Sequence, residues 1–206
     1  MPLVTFEGIE GSGKSTQARR AADFFRSRVP ELLLEREPGG TEIGSAIRAL
    51  LLDPARRNLD PMAELLLIEA DRRQHVVETL APALARGALV LCDRFNDATF
   101  AYQGGGRGIE NAVISQIDGK STADVRPDLT LLFDCPPEIG LARARRREGG
   151  SADRFEGENE PFHRRVRDAY LEIARREPRR VQVLDSTQDA DAVFREVAGR
   201  ISRLLA

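Results

Sequence analysis

The sequence predicts an α/β fold in which helices cover both faces of a five-stranded parallel sheet, a doubly wound arrangement. The first observation is a set of short runs rich in Val and Leu, most of which end in an acid: Leu3–Glu7, Leu32–Glu35, Ala88–Asp93, Leu129–Asp134 and Val181–Asp185. Nearly continuous apolar runs are typical of strands that are buried on both faces of a parallel sheet. The second observation is that helical stretches lie between the runs, since parallel strands need long crossover connections.

Apolar periodicity and terminal signals predict the helices that connect and follow these strands. They are expected at about Gly13–Ser27, Met62–Ala85, Pro137–Arg147, Pro161–Glu177 and Ala190–Leu205. Two glycine-rich stretches, Gly104–Gly108 and Gly149-Gly150, are predicted to be loops over a site.

Length and composition narrow the class of protein. The chain has 206 residues, which suits one domain over 1–206, and its net charge of −2 gives no overall basic field for nucleic acid. It shows neither a signal peptide nor an apolar run of about 18 residues. We therefore expect a cytoplasmic protein without a membrane span, with Cys92 and Cys135 as buried reduced thiols.

A glycine-rich segment after the first strand matches the phosphate-binding pattern G-x-x-x-x-G-K-[ST]. It predicts an ATP site made of Gly8, Ile9, Glu10, Gly11, Ser12, Gly13, Lys14, Ser15 and Thr16. In this pattern the backbone N–H groups surround the phosphates, the lysine reaches the β- and γ-phosphates, and the hydroxyl binds Mg²⁺. A glycine-rich turn with an incidental lysine is the alternative, but the only other lysine in the chain is Lys120.

The phosphate loop alone does not separate kinases from GTPase switches. The guanine-binding string N-K-x-D and the switch string D-x-x-G are both absent from the sequence, which favours ATP and phosphoryl transfer. Asp93 ends the third strand and is expected to hold Mg²⁺ together with Ser15; an acid that caps the next turn is the alternative. The guanidinium of Arg94 is suited to a bidentate grip on phosphate.

Further motifs resemble those of the thymidylate kinase family. Asp93-Arg94-Phe95 followed by Ala101-Tyr102-Gln103-Gly104 is similar to D-R-[FYH]…A-Y-Q-G, and Arg36-Glu37-Pro38-Gly39-Gly40-Thr41 is similar to R-E-P-G-G-T. With the phosphate loop, Asp71-Arg72 and the segment 185–188, the resemblance covers nearly the whole chain. It implies the P-loop nucleoside monophosphate kinase fold.

The resemblance also implies roles for matching positions. Arg94 would hold the phosphate of dTMP, Arg72 would bind the thymine edge with Thr99 and Gln103, and Tyr102 would crowd the 2′ position. The full implied substrate set is Glu10, Arg36, Arg48, Ile68, Arg72, Arg94, Thr99, Tyr102 and Gln103. A solvated helix arginine at Arg72 and a core tyrosine at Tyr102 are the plain alternatives.

Two positions depart from the family pattern. Ile68 stands where the family usually has a phenylalanine that stacks on thymine, so the stacking energy of about 1 kcal/mol is reduced. Ala98 stands where the family often has a serine, which removes one hydroxyl near the acceptor.

An arginine-rich segment at about 143–156, with a glycine pair inside it, is predicted to be a lid. A solvated basic helix face is the alternative. Because the phosphate loop carries Glu10 and no arginine, the resemblance to bacterial-type members places the catalytic arginine in this lid, at Arg145 or Arg147 first and then Arg154. With Lys14 and Arg94, these arginines are the predicted catalytic residues.

The expected reaction is transfer of the γ-phosphoryl group of ATP to dTMP, with Mg²⁺ as cofactor. A dianionic phosphate acceptor needs no general base, and none is assigned. Another nucleoside or small-metabolite phosphate kinase is the alternative, which Ile68 keeps open, followed by a non-catalytic nucleotide-dependent switch. The resemblance further implies a homodimer through the long helices, including Met62–Ala85.

Overall fold

The structure is a computed structural model, and it describes residues 2–146 and 153–206. Its strands are β1 (Leu3–Glu7), β2 (Leu32–Arg36), β3 (Leu89–Asp93), β4 (Leu129–Asp134) and β5 (Val181–Asp185). All neighbouring pairs are parallel, in the order β2-β3-β1-β4-β5. The predicted five-stranded sheet is confirmed, with two strand ends displaced by one residue.

Helices follow every strand. They are α1 (Lys14–Phe25), α2 (Glu42–Leu52), α3 (Pro61–His75), α4 (Ala81–Ala85), α5 (Asn96–Thr99), α6 (Asn111–Ser121), α7 (Pro137–Arg145), α8 (Glu160–Arg176) and α9 (Ala190–Leu205). Two π-helical segments extend this set: Val76–Leu80 joins α3 to α4, and Phe100–Gly106 continues α5. The predicted helix Met62–Ala85 is thus one continuous helical rod with a π-helical segment inside it.

The strand order places the two most informative motifs side by side. β1 and β3 are neighbours, with Phe6 opposite Asp93, and β1 also pairs with β4 on its other side. The phosphate loop therefore starts next to Asp93 and Arg94, at the carboxyl edge where ligands bind in open α/β sheets.

Alternate residues of the strands pack into separate cores on the two faces of the sheet. Val4 and Phe6 of β1 contact a cluster that includes residues of α1 and α9. Leu3 of the same strand packs in a second cluster with Val76 and Leu80 of the first π-helical segment. Side chains that alternate along a strand point to opposite faces, so both faces are covered and the sheet forms the middle of three layers.

The glycine-rich stretch Gly104–Gly108 is not simply a loop, as the sequence predicted. Its first three residues belong to the π-helical segment Phe100–Gly106, which packs against α8. A Cβ on Gly105 would lie 2.6 Å from Cβ of Ala169, so the glycine is needed for close helix contact. The other predicted loop, Gly149-Gly150, lies outside the described residues.

Helices α2 and α6 were not predicted from the sequence. Thr41 caps α2 by accepting a hydrogen bond from the N–H of Gly44 at 2.9 Å. Gly44 hides the helical pattern, yet it is required because a Cβ there would lie 2.3 Å from Oδ1 of Asp71. Tertiary packing, which no local propensity records, explains the glycine.

The structure bears on two further expectations. Cys92 and Cys135 are buried and free, as predicted. Within residues 2–146 and 153–206, no helix combines the length and the apolar character that crossing a membrane requires.

Gly105→Ala is expected to lower the free energy of unfolding by about 1–3 kcal/mol, because α8 must move to admit the methyl group. The matched control is Gly119→Ala in α6, where an added Cβ meets no atom within 4 Å. That change should be neutral or stabilise by up to about 1 kcal/mol through helix propensity. Urea unfolding of both variants checks the pair, and equal effects would contradict the packing argument.

Candidate active site

A cleft of about 800 Å³ lies at the carboxyl edge of the sheet. It brings together most of the predicted site residues: Glu10, Gly11, Gly13, Lys14, Ser15, Thr16, Arg36, Arg48, Ile68, Arg72, Asp93, Arg94, Thr99, Tyr102 and Gln103. Gly8, Ile9 and Ser12 do not line the cleft. They lie buried beneath the phosphate loop and shape its backbone.

The backbone of the phosphate loop depends on its glycines. Gly8, Gly11 and Gly13 have positive φ angles of 142°, 69° and 89°. A Cβ on Gly11 would lie 1.8 Å from the carbonyl oxygen of Gly140, so the loop is held directly against α7. Since α1 starts immediately after Gly13, its N-terminal N–H groups face the same cleft and favour an anion.

Lys14 is the cation of this loop and is 8% exposed. Its Nζ donates to the carbonyl oxygen of Ile9 at 3.2 Å. Burial, reinforced by the nearby Arg94 guanidinium, lowers the pKa of Lys14 to about 8. A bound phosphate chain would supply negative charge that stabilises the protonated amine.

Two residues of the cleft fit a divalent cation. Oδ1 of Asp93 is buried and has no hydrogen-bond partner among residues 2–146 and 153–206. Ser15 lies exposed at the start of α1 and lines the same cleft. No group of three or more His, Cys, Asp or Glu side chains is placed to bind a metal in the described parts of the chain. The carboxylate oxygen of Asp93 and the hydroxyl of Ser15 are the oxygen ligands that hard divalent cations prefer.

Arg94 links the loops that follow β1 and β3. It has a left-handed φ of 71°, a strained conformation for a residue with a side chain. Its NH2 donates to Oε1 of Glu10 at 2.8 Å and to the hydroxyl of Tyr102 at 2.9 Å, and its NH1 donates to the hydroxyl of Tyr170 at 3.1 Å. The remaining N–H groups are available to a phosphate.

Two buried glutamates beside Arg94 differ in their ionisation. Burial would raise the pKa of Glu10, but Arg94, His163, Lys14 and Tyr102 together outweigh it and hold that pKa well below its usual range. Burial raises the pKa of Glu7 to about 7, against the opposing effect of Arg94. Glu7 accepts hydrogen bonds from the N–H of Phe95 and the hydroxyl of Tyr170, both at 2.7 Å, and so fixes the start of the loop after β3.

Arg72 is not a solvated helix arginine, because it is only 1% exposed. Its Nε donates to Glu37 at 2.9 Å, and its NH1 donates to Glu69 at 2.6 Å and to Thr99 at 2.8 Å. Its NH2 donates to the carbonyl oxygen of Phe95 at 3.1 Å. A guanidinium has five N–H groups, so these bonds leave one without a partner in the described parts of the chain, and Arg72 lines the cleft.

The R-E-P-G-G-T segment is tied to α3 by residues that sequence reasoning did not single out. Oε1 of Glu37 lies 2.9 Å from Nδ1 of His75, and Asp71 accepts from the N–H of Gly39 at 2.9 Å. Burial alone would lower the pKa of His75, but hydrogen bonds to Glu35 and Glu37 raise it to about 9. The acid inside the R-E-P-G-G-T string was the available signal.

Tyr102 belongs to the core and also lines the cleft, and its role at the 2′ position stays a prediction. Its ring packs in the core, edge-on to Phe155 at 5.7 Å between centroids. Its hydroxyl lies 2.7 Å from both carboxylate oxygens of Glu10 and also accepts from Arg94. Ile68 lines the cleft, as do Phe95 and Ala98.

The arginines of the predicted lid lie in different places. Arg143 lines the cleft, and its NH1 donates to the carbonyl oxygen of Ser186 at 2.8 Å. Arg145 is exposed at the end of α7 and is not part of the cleft wall. Arg147 lies outside the described residues.

Arg154 is not where the prediction of a catalytic arginine requires it. It is buried, with Nε donating to the carbonyl oxygen of Leu51 at 2.8 Å and NH1 donating to Glu64 at 2.6 Å. The cleft wall at this point is formed by Asp153, Phe155 and Glu156. In this conformation Arg154 anchors the segment to α3 and does not face the cleft.

Comparison with known proteins agrees with this geometry. The family model described as thymidylate kinase matches residues 6–197. A thymidylate kinase of Trichlorobacter lovleyi is 49% identical over 97% of this chain and 98% of its own length. The chain belongs to the thymidylate kinase family. A thymidylate kinase of Pseudomonas putida is 48% identical over 98% of this chain and 97% of its own length.

A solved structure from the same family supports the fold. The crystal structure of thymidylate kinase from Ehrlichia chaffeensis has a TM-score of 0.78 and 35% sequence identity, and covers 98% of both chains. Membership in the thymidylate kinase family was therefore predicted correctly from the motifs, and the P-loop kinase fold is confirmed.

His75→Gln is expected to flatten the pH dependence of stability on the alkaline side. Because the pKa of His75 is raised in the fold to about 9 from 6.5, its contribution is complete below pH 6.5 and is lost as the pH rises through 9. The shift corresponds to about 3 kcal/mol. Urea unfolding at pH 6.5 and pH 9.5 should show a smaller difference in the variant than in the unaltered protein; equal differences would contradict the assignment.

Proposed function

We propose that this chain transfers the γ-phosphoryl group of ATP to dTMP, giving ADP and dTDP. The observation that supports this proposal most directly is a single cleft. It is lined by Lys14 of the phosphate loop and by Arg94 and Arg72. A donor phosphate chain and a nucleoside monophosphate can thus lie end to end. Membership in the thymidylate kinase family supports dTMP as the acceptor.

In this proposal, positioning and neutralisation of charge provide the catalysis. Lys14 and the N–H groups at the start of α1 hold the donor phosphates, and Arg94 holds the acceptor phosphate in line with them. Ser15 and Asp93 would hold Mg²⁺, which when bound neutralises charge on the donor phosphates. Lys14 and Arg94 both enclose the transferred group, and their mutual repulsion is relieved when the phosphates bind.

The acceptor end is shaped by buried residues. Arg72 directs its unused N–H at a carbonyl oxygen of the base, and Ile68 packs on the face of the ring. Glu10 and Tyr102 form a bonded pair at the sugar, since the tyrosine hydroxyl bridges to both oxygens of the glutamate. Arg36 and Arg48 border the same cleft. Arg48 donates to the carbonyl oxygen of Pro38 at 2.8 Å, which fixes it beside the acceptor.

A catalytic arginine from the predicted lid also belongs to the proposal. Arg145 is exposed at the end of α7 and unconstrained by the cleft wall, which leaves it free to reorient. Arg147 stays a prediction outside the described residues. Arg143, already bound to Ser186, marks the adenine side of the cleft, close to the segment 185–188.

The test is a coupled ADP-release assay with dTMP, dUMP, UMP, CMP and AMP as acceptors. Turnover should be fastest with dTMP and should fall to background when EDTA removes the divalent cation, because the donor phosphates then lose neutralising charge. Activity with AMP or CMP and none with dTMP would overturn the proposal.

Arg94→Ala tests the assigned phosphate-binding residue in the same assay. The substitution should lower kcat at least 100-fold with every acceptor. ATP should still bind, which titration calorimetry can measure. The fold should be checked by circular dichroism, because Arg94 also neutralises Glu10.

We further propose that the enzyme is a cytoplasmic homodimer. Apolar side chains are exposed along one side of the rod formed by α3 and the first π-helical segment: Met62, Leu66 and Val77, at 39%, 51% and 52% exposure. Ile43 and Leu50 are exposed on α2, which packs against α3. A second copy of the chain would cover this face. The buried free thiols agree with a reducing compartment.

Leu66→Glu is expected to shift the protein to monomers, because a charge at the centre of an apolar interface must be desolvated. Leu204→Glu, at a similarly apolar but distant position on α9, should leave the oligomeric state unchanged. Sedimentation velocity at matched concentrations checks both. A dimer that persists in Leu66→Glu at every concentration would contradict the assigned interface.

A further inference from the structure

Glu64 is a fully buried carboxylate that lies behind the cleft and takes no part in its wall. It sits in the first turn of α3. Oε1 accepts from Nε2 of Gln103 at 2.8 Å and from Nε of Arg107 at 3.1 Å, and Oε2 accepts from NH1 of Arg154 at 2.6 Å. One carboxylate therefore binds a cleft residue and two structural arginines.

The hydrogen bond to the Glu64 carboxylate determines the orientation of the Gln103 side-chain amide. Glu64 forms ion pairs with Arg107 and Arg154, and a carboxylate has only acceptor oxygens. Gln103 must therefore turn its NH₂ group toward Glu64. The amide has only two ends, so its carbonyl oxygen is left for the side of the residue that lines the cleft.

The wall of the base pocket then has a defined polarity. Arg72 keeps one N–H for a ligand, and Gln103 offers one carbonyl oxygen. Thymine and uracil carry a carbonyl at C4 beside an N–H at N3, which matches a donor next to an acceptor. Cytosine carries the reverse pair, an NH₂ group beside an unprotonated N3. Its donor would face the N–H donor of Arg72, and its acceptor would face the carbonyl oxygen of Gln103.

We infer that Glu64 is a specificity-determining positioning residue, which locks the Gln103 amide and so makes the pocket accept a thymine or uracil edge and reject cytosine. This inference rests on the proposed function, because it concerns the acceptor of that same reaction. Sites with buried polar groups discriminate strongly, since the wrong ligand leaves those groups unpaired.

The same carboxylate connects base recognition to the segment that begins after the undescribed residues. Arg154 reaches Glu64 from that segment, and Arg107 bridges Glu64 to Glu158 at 2.5 Å. Replacing Glu64 should therefore slow turnover with every acceptor as well as alter selectivity. A loss of rate with every acceptor indicates a general structural effect. A change in the ratio between acceptors indicates that the orientation of the Gln103 amide has changed.

The experiment measures kcat/KM of Glu64→Gln with dTMP, dUMP and dCMP. An amide at position 64 can donate or accept, so Gln103 can reverse, and we expect the ratio of dCMP to dTMP to rise at least tenfold. The ratio of dUMP to dTMP should stay unchanged, because the two bases share the same hydrogen-bonding edge. Equal losses with all three acceptors would overturn the inference.

A double variant keeps the test decisive if Glu64→Gln does not fold. Glu64→Gln with Gln103→Glu exchanges the amide and the carboxylate and keeps the net charge of the cluster. The carboxylate at position 103 again presents an acceptor to the cleft, so discrimination against dCMP should be restored. A folded double variant that uses dCMP as well as dTMP would refute the role of amide polarity.

Glu158→Gln is the matched control, since it removes the outer partner of Arg107 and leaves the contact between Glu64 and Gln103 intact. Its dCMP-to-dTMP ratio should equal that of the unaltered enzyme, and a tenfold rise would count against the inference. Failure of the proposed function is distinguishable, because it would appear as absence of dTMP turnover in the unaltered enzyme.

Discussion

The site depends on one partly buried arginine, Arg94, that joins two loops. Arg94 leaves β3 in a left-handed conformation and reaches Glu10 of the loop that follows β1. The adjacent strands fix both loop origins, and the N–H of Arg94 itself donates to the carbonyl oxygen of Phe6 at 3.1 Å. Backbone pairing thus sets the distance between the phosphate loop and the acceptor pocket before any ligand binds. Such preorganisation lowers the cost of aligning two phosphates.

Burial of charge is the second recurrent feature. Arg72 with Glu37 and Glu69, and Glu64 with Arg154, are removed from water almost completely, while Arg107 keeps 15% of its side chain exposed. Desolvation offsets most of the attraction within such pairs, so their net effect on stability is small. Their effect on geometry is larger, because every remaining donor and acceptor is confined to one direction. In this protein, Arg72 of the first of these clusters lines the cleft.

The sequence predicted the features that depend on local pattern. The strands followed from continuous apolar runs, and the phosphate loop, Asp93 and Arg94 followed from motifs next to those runs. Glu37, Glu64 and Tyr170 were missed, because a buried acid or a helix tyrosine gains its role from partners up to 163 residues away. Arg154 was predicted to be catalytic from the lid pattern and the family resemblance, but hydrogen bonds to Glu64 and to the carbonyl oxygen of Leu51 hold it inside the protein. Gly44 and Gly105 weaken the helical pattern of the sequence, because glycine disfavours helix. Close packing nevertheless requires both glycines.

The π-helical segment Phe100–Gly106 has an evolutionary consequence. A π-helical turn contains about one residue more than an α-helical turn. Within this segment Tyr102 and Gln103 line the cleft, while Gly105 packs against α8. Loss of one residue would rotate everything downstream by about 100° and turn these side chains elsewhere. Relatives should therefore tolerate substitutions in this segment far more readily than insertions or deletions.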